Sequence, residues 1–122
     1  MMKKKRFYKF SKVKLRDVVA HGGNGTINTV RVENMERGTA FNFIDLTVIP
    51  PGNSIGVHTH TFDDEEVYVI ISGKGRMFSA GEFFEVEAGD VIVNSPGDTH
   101  ALENIGPDPL KVVVMDVNVI IR

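Results

Sequence analysis

Cysteine is absent from the 122 residues, so disulfides and thiolate ligands are excluded, and any metal site has to be built from nitrogen and oxygen donors. The same absence fits a reducing compartment. Long hydrophobic runs are missing too. The longest, Val67 to Ile71, is far too short to cross a bilayer, and the basic start, Met1 to Phe10, has no apolar segment behind it. The chain therefore reads as cytoplasmic. Helix has little room: only Ser11 to Ala20 could carry a short one, with Val13, Leu15, Val18 and Val19 as a ragged apolar face.

Acid is missing from the first 16 positions, which hold eight of the 14 basic residues. With a formal net charge of −2 overall, the remaining 106 residues carry −10. The arm also holds Phe7, Tyr8 and Phe10, aromatics that could stack on bases while lysines meet phosphates. A block of charge alone is a weak signal, however, and we read residues 1–25 as an arm lying over an acidic domain or a partner subunit, with no nucleic acid expected. Residues 26–122 form the domain proper. Hydrophobic residues at 42% and charged residues at 25% are ordinary for one compact domain of this length.

What is present is β-sheet punctuation. Runs rich in Val, Ile, Thr, Phe and Tyr, at Thr26 to Val32, Phe41 to Ile49, Glu66 to Ser72, Glu82 to Val86, Asp90 to Asn94 and Leu110 to Ile121, read as strands. Between them lie turn signals such as Pro50-Pro51-Gly52, Ser72-Gly73-Lys74-Gly75 and Ser95-Pro96-Gly97. The spacing predicts an all-β antiparallel sandwich or barrel. Val67 to Ile71 and Val112 to Met115 do not alternate with polar residues, so some strand faces need cover on both sides, and a homodimer is expected.

Histidine is scarce, and two of the four, His58 and His60, are one residue apart after a Pro-Pro-Gly turn. In an extended strand such residues project from one face roughly 6.8 Å apart, which lets two imidazoles converge on an ion. Taken alone, the pair also suits two surface histidines at a strand end. The acidic run Asp63-Asp64-Glu65-Glu66 leads into the apolar strand, and a carboxylate at the mouth of a core strand needs a partner such as a bound cation. His100 follows the turn at Ser95-Pro96-Gly97.

The order of these residues resembles the cupin superfamily, marked by G-x5-H-x-H-x3,4-E-x6-G and G-x5-P-x-G-x2-H-x3-N. This chain has Gly52, His58, His60, Glu66 and Gly73, then Gly89, Ser95-Pro96-Gly97, His100 and Asn104. Two departures stand out. The interval from His60 to Glu66 is one residue longer than the pattern, and the second motif's proline is replaced by Ser95, with Pro96 beside it. Counting forward from His60 selects Glu65 and counting back from Gly73 selects Glu66; we prefer Glu66, whose strand fixes its register to the glycine. The motifs cover residues 52–104.

The resemblance implies an antiparallel double-stranded β-helix (jelly-roll) barrel. It also implies one divalent transition metal on His58, His60, Glu66 and His100, with Mn or Fe favoured and Ni, Zn, Co or Cu able to serve. Three imidazoles and a carboxylate leave two octahedral positions for a substrate. The expected function is a metal-dependent enzyme of oxygenase, decarboxylase or isomerase type acting on a small carboxylate, keto acid or sugar acid. The small single-domain cupins it resembles are described as oxalate-decarboxylase-like or sugar-isomerase-like. The alternatives are a non-catalytic ligand-binding or sensor cupin and a metal-free isomerase.

Tyr68 shares strand parity with Glu66 and is the candidate catalytic proton donor, although a core tyrosine packed on its neighbours is the commoner arrangement. Phe43 and Met77 could line a pocket or belong to the core. Lys74 and Arg76 follow a glycine turn and read as solvated rather than anion-binding. His21, beside Gly22-Gly23, either stays in its loop or reaches the site.

Overall fold

The computed structural model describes residues 5–119; the first four residues of the arm and the predicted strand end at Ile121 lie outside them. Among the described residues ten strands follow one another: β1 (Arg16–Val18), β2 (Ile27–Asn34), β3 (Phe43–Ile49), β4 (Ser54–Thr59), β5 (Asp64–Ser72), β6 (Lys74–Ser79), β7 (Glu82–Glu87), β8 (Val91–Asn94), β9 (Thr99–Asn104) and β10 (Leu110–Asn118). They form a six-stranded sheet, β1-β2-β3-β10-β5-β8, and a four-stranded sheet, β4-β9-β6-β7. Every pairing is antiparallel. Hydrogen bonding does not close the two sheets into one barrel; they form separate layers. Pro50 and Pro51, which have no N–H to donate, interrupt the chain where it leaves β3 in one sheet for β4 in the other.

Strands β1, β4, β6 and β9 were not among the runs picked out from the sequence. β4 and β6 contain glycines and β9 reads Thr-His-Ala-Leu-Glu-Asn, so none carries a dense β-branched signal. The stretch Ser11 to Ala20 makes no helix. Lys12 and Val13 both bond back to the Lys9 carbonyl in a single turn, and β1 then joins the sheet edge. Among the described residues no helix is long and apolar enough to cross a membrane.

Period-2 alternation sends Tyr68 and Ile70 of β5, Leu110, Val112 and Val114 of β10, and Leu102 of β9 into one core with Ile49 and Met77. Seven such residues, from Ile49 to Val112, are 0–1% exposed, and each aliphatic or methionine side chain among them stabilises the fold by about 1.5–3 kcal/mol of burial. Gly73 turns β5 into β6 at φ +93, and a Cβ there would press on the Pro109 carbonyl and Leu110. The turn therefore holds the register that points Glu66 inward.

Val67, Val69 and Ile71 of β5 face outward instead, beside Val113 and Met115 of β10 and Val91 and Val93 of β8. Elsewhere on this outer face the arm lies against β2, β3 and β10. Arg6 and Tyr8 hydrogen-bond to the buried Glu33, and Lys111 sits over the Phe10 ring at 5.8 Å.

Candidate metal centre

Three strands from both sheets bring the predicted ligands together. His58 of β4 pairs in register with His100 of β9 just past an irregularity that follows Ile55. His60 lies one residue beyond β4, its N–H bonded to the Asp98 carbonyl. Glu66 enters from β5 in the opposite sheet, 4% exposed, whereas Glu65 keeps the other parity and does not join the cluster. Ligand atoms of His58, His60, Glu66 and His100 all lie within 4.8 Å of one another.

The hydrogen bonds fix how the imidazoles are presented. His58 Nδ1 lies 2.7 Å from the Gly56 carbonyl, which can only accept, so Nδ1 carries the proton and the Nε2 lone pair faces Glu66, 4.0 Å away. His60 Nδ1 donates to Asp64 Oδ2 at 2.7 Å, and its Nε2 points to Glu66 Oε2 at 3.5 Å. His100 Nε2 is 3.0 Å from Glu66 Oε1. His58 and His60 thus have their far nitrogen backed by a carbonyl or a carboxylate, which is how proteins orient metal-binding imidazoles, whereas His100 Nδ1 has no such partner.

His60 Nε2 is buried with no hydrogen-bond partner, an arrangement that costs energy unless a cation meets the lone pair. Three imidazole nitrogens and one carboxylate suit a divalent ion of the first transition row. By this test the residues fit such an ion.

Electrostatics agree with that fit. Burial pushes the Glu66 carboxyl up, but the hydrogen bond with His100 and the surrounding imidazoles of His58 and His60 outweigh it and hold the group well below the carboxylate range. Glu66 is thus ionised, as a ligand must be. Burial lowers His100, keeping it neutral.

Behind His60 lies a second acidic layer that sequence reasoning missed. Asp116 of β10 is 2% exposed and accepts from Asn42 at 2.7 Å. Burial and the facing Asp64 push it up to about 7, whereas Asp64, despite its own burial cost, is lowered by Asp116 and His60. Asp64 therefore carries the charge that faces His60 Nδ1. Only Asp116's place at an inward parity of β10, in line with Val112 and Val114, could have pointed to it.

His58 and Glu66 open onto a cavity of about 210 Å³, with Tyr68, Phe43, Arg31 and His21 also in its wall. Tyr68 is 1% exposed, edge-on to His100 at 5.5 Å, and burial with the Glu66 charge raises its phenol well above the usual range. It is a neutral hydroxyl beside the cluster. Phe43 lines the cavity, but Met77 lies in the dry core. Lys74 and Arg76 do not line it; Arg76 lies over the Phe83 ring on the outer face of the smaller sheet.

His21 does reach the site, its ring stacked on His58 at 3.6 Å. Its loop is held against β4 by a bond from the Gly56 N–H to the Ala20 carbonyl, and a Cβ on Gly56 would collide with the His21 carbonyl oxygen. The sequence signal for this closeness was Gly22-Gly23 on one side and Gly56 on the other.

Comparison with known proteins agrees with this architecture. Residues 45–116 match the cupin domain family. An uncharacterized protein of Methanocaldococcus jannaschii is 41% identical over 66 residues, 54% of this chain and 52% of that protein. An oxalate-binding protein of Thermotoga maritima is 36% identical over 63 residues, 52% of this chain and 51% of its own length. The matches thus span about half of each curated relative. The crystal structure of a predicted oxalate decarboxylase from Thermotoga maritima superposes with a TM-score of 0.85 at 25% identity, covering 91% of this chain and 97% of that one. With the family match extending from β3 into β10 and taking in the whole histidine–glutamate cluster, the chain belongs to the cupin domain family.

Proposed function

We propose that this chain is a metal-dependent cupin that binds a small oxygen-rich acid on one divalent ion, Mn or Fe by preference, and transforms it. His58, His60, Glu66 and His100 are the ligands of that ion, and the two facing sheets form the double-stranded β-helix of the family. The observation that carries the reading is the convergence of three imidazoles and an ionised carboxylate at a cavity, with the ligand-side nitrogen of His60 buried and otherwise unpaired. Likeness to an oxalate-binding protein and to a predicted oxalate decarboxylase supports a carboxylate ligand.

A bound ion supplies Lewis acidity to the ligand's oxygens. The chain's own residues do the rest. Asp64 and the Gly56 carbonyl hold His60 and His58 in the tautomer that presents Nε2. Tyr68 offers a neutral hydroxyl able to donate a hydrogen bond or proton to the bound acid. At about 210 Å³ the cavity is smaller than the roughly 300–1,000 Å³ of drug-sized sites, which restricts the part of the ligand nearest the ion to a few heavy atoms.

The test is elemental analysis of tag-free protein purified without chelators, beside a His58→Ala/His60→Ala variant. Near-stoichiometric metal in the parent, lost in a variant that keeps its circular dichroism, supports the reading, and turnover of a small acid by the loaded protein completes it. Metal without turnover across carboxylates, keto acids and sugar acids makes the protein a ligand-binding cupin. Failure to load Mn, Fe, Ni or Zn sinks the metal centre and favours a metal-free isomerase.

The outward strip of Val67, Val69, Ile71, Val91, Val93, Val113 and Met115 carries no charge, and Ile71, Val91 and Val93 are solvent-exposed. We propose that a second copy covers it, since an uncharged strip is self-complementary across a two-fold axis. Sedimentation equilibrium of the parent and of Val91→Lys/Val93→Glu tests this: a dimer converted to monomer is expected, and a monomeric parent refutes it.

A further inference from the structure

The basic arm is more than a strap over the sheet. Where it becomes β1, its inward parity continues that of β2. Arg16 pairs with Thr29 and Val18 with Ile27, so Arg16 and Val18 share the face of Thr29 and Arg31, and Lys14, two residues earlier, joins them in lining an outer hollow of about 530 Å³. This hollow and the inner cavity share Val18, Thr29, Arg31 and Asp45 as wall residues. They adjoin at these residues, a small inner chamber at His58 and Glu66 and a wider hollow, the vestibule, on the other side of the shared wall.

The vestibule is basic. Lys14, Arg16 and Arg31 line it, and Asp45 is the single acid. This lip stands on a body whose residues beyond position 16 carry a net −10, so it is a local reversal of sign of the kind that draws small anions.

Arg31 is the fixed element. Its Nε and Nη2 donate to the two oxygens of Asp45 at 2.9 and 3.1 Å, and its guanidinium lies over the Phe43 ring at 3.9 Å. Asp45 and Phe43 clamp the plane, and no acceptor among the described residues takes up the Nη1 edge. A guanidinium held flat with one edge open is prepared to bind a second carboxylate or a phosphate.

We propose that the ligand is a two-headed anion, one head a chelating acid at the histidine–glutamate centre and the other a carboxylate or phosphate bound by Arg31, with Lys14 and Arg16 steering it in. This rests on the metal-centre reading above and adds the class of ligand. It gives the basic N-terminal segment a role in recognition, and it requires a ligand longer than one whose two acid groups both sit on the ion.

The test compares two probes with the same chelating head, 2-hydroxybutanedioate and 2-hydroxybutanoate, which differ only in the distal carboxylate. Binding to the manganese-loaded full chain is measured by titration calorimetry, with metal content determined on the same samples. The diacid is expected to bind at least tenfold tighter than the monoacid. Arg31→Met is expected to abolish that preference, the diacid losing more affinity than the monoacid, while manganese content stays at the parent value. Lys14→Gln/Arg16→Gln, at exposed positions that leave the fold alone, is expected to cut diacid affinity several-fold at low salt and little at high salt.

Equal affinities in a fully loaded parent, or a preference that survives Arg31→Met, overturn the proposal and leave the metal centre standing. A parent that takes up no ion overturns both. A phosphate-tailed analogue, 3-phosphoglycerate, distinguishes the sources of the distal charge: tighter binding than the diacid assigns the lip to phosphate, weaker binding assigns it to carboxylate.

Discussion

The two ends of the sandwich are built from the same strands and differ in what those strands turn inward. At one end β5 contributes Ile70, β9 Leu102 and β10 Leu110 and Val112, all nearly inaccessible to solvent. Two or more residues further along the same inward faces, β5 contributes Glu66, β9 His100 and β10 Asp116, which are just as deeply buried. Backbone alternation treats both ends alike. What separates them is that the first end satisfies itself by apolar packing, whereas the second leaves His60 Nε2, His100 Nδ1 and Asp116 Oδ2 without hydrogen-bond partners. A polar end buried this thoroughly stores chemistry rather than stability.

The comparison breaks most visibly at the apolar end. Leu102→Ala is expected to cost about 2–5 kcal/mol of unfolding free energy, read by urea denaturation, while metal bound per folded molecule stays at the parent value. Loss of metal at full fold would show that the two ends are not separable. At the polar end, Asp64→Ala is expected to lower metal affinity by about 10–100-fold by releasing His60 Nδ1, with an unfolding free energy reduced by less than in Leu102→Ala. Competition against a chromophoric chelator measures it, and an unchanged affinity would mean that Asp64 does not orient His60.

The smallest effect concerns a third buried acid, Glu33, which is outside both ends and holds the arm. Hydrogen bonds from Arg6 and Tyr8 lower its carboxyl to about 2. A depressed acid stabilises the folded state above its unfolded value, about 4.3, and loses that contribution as pH falls toward 2. With two tyrosines and no tryptophan in the chain, tyrosine fluorescence should show a transition in that window. Tyr8→Phe should abolish it. Persistence of the transition in Glu33→Gln would show that another group governs the arm.

Much of this candidate centre was legible before the fold was known because its proposed ligands lie at motif spacings that strand geometry converts into proximity. His58 and His60 are two apart, Glu66 is fixed by the turn at Gly73, and His100 sits behind its own glycine turn. The choice of Glu66 over Glu65 followed from register and agrees with the inward parity of β5. What escaped was set by pairing between distant strands. Arg31 reads as one more charge in a run, and only the β1–β2 and β2–β3 registers bring it to the cavity with Asp45. Asp64 reads as one member of the acidic run at 63–66, and only its bond to His60 sets it beside the centre. Four strands were missed because glycine and polar residues weaken their β-signal while tertiary pairing still extends them.

The proposed metal centre stands or falls on where an ion binds. Anomalous scattering from a manganese-soaked crystal locates it directly. One peak bounded by His58 Nε2, His60 Nε2, His100 Nε2 and a Glu66 oxygen is the predicted result. A peak among His60, Asp64 and Asp116, the second group able to hold an ion among the described residues, or no peak at saturating manganese, would contradict it.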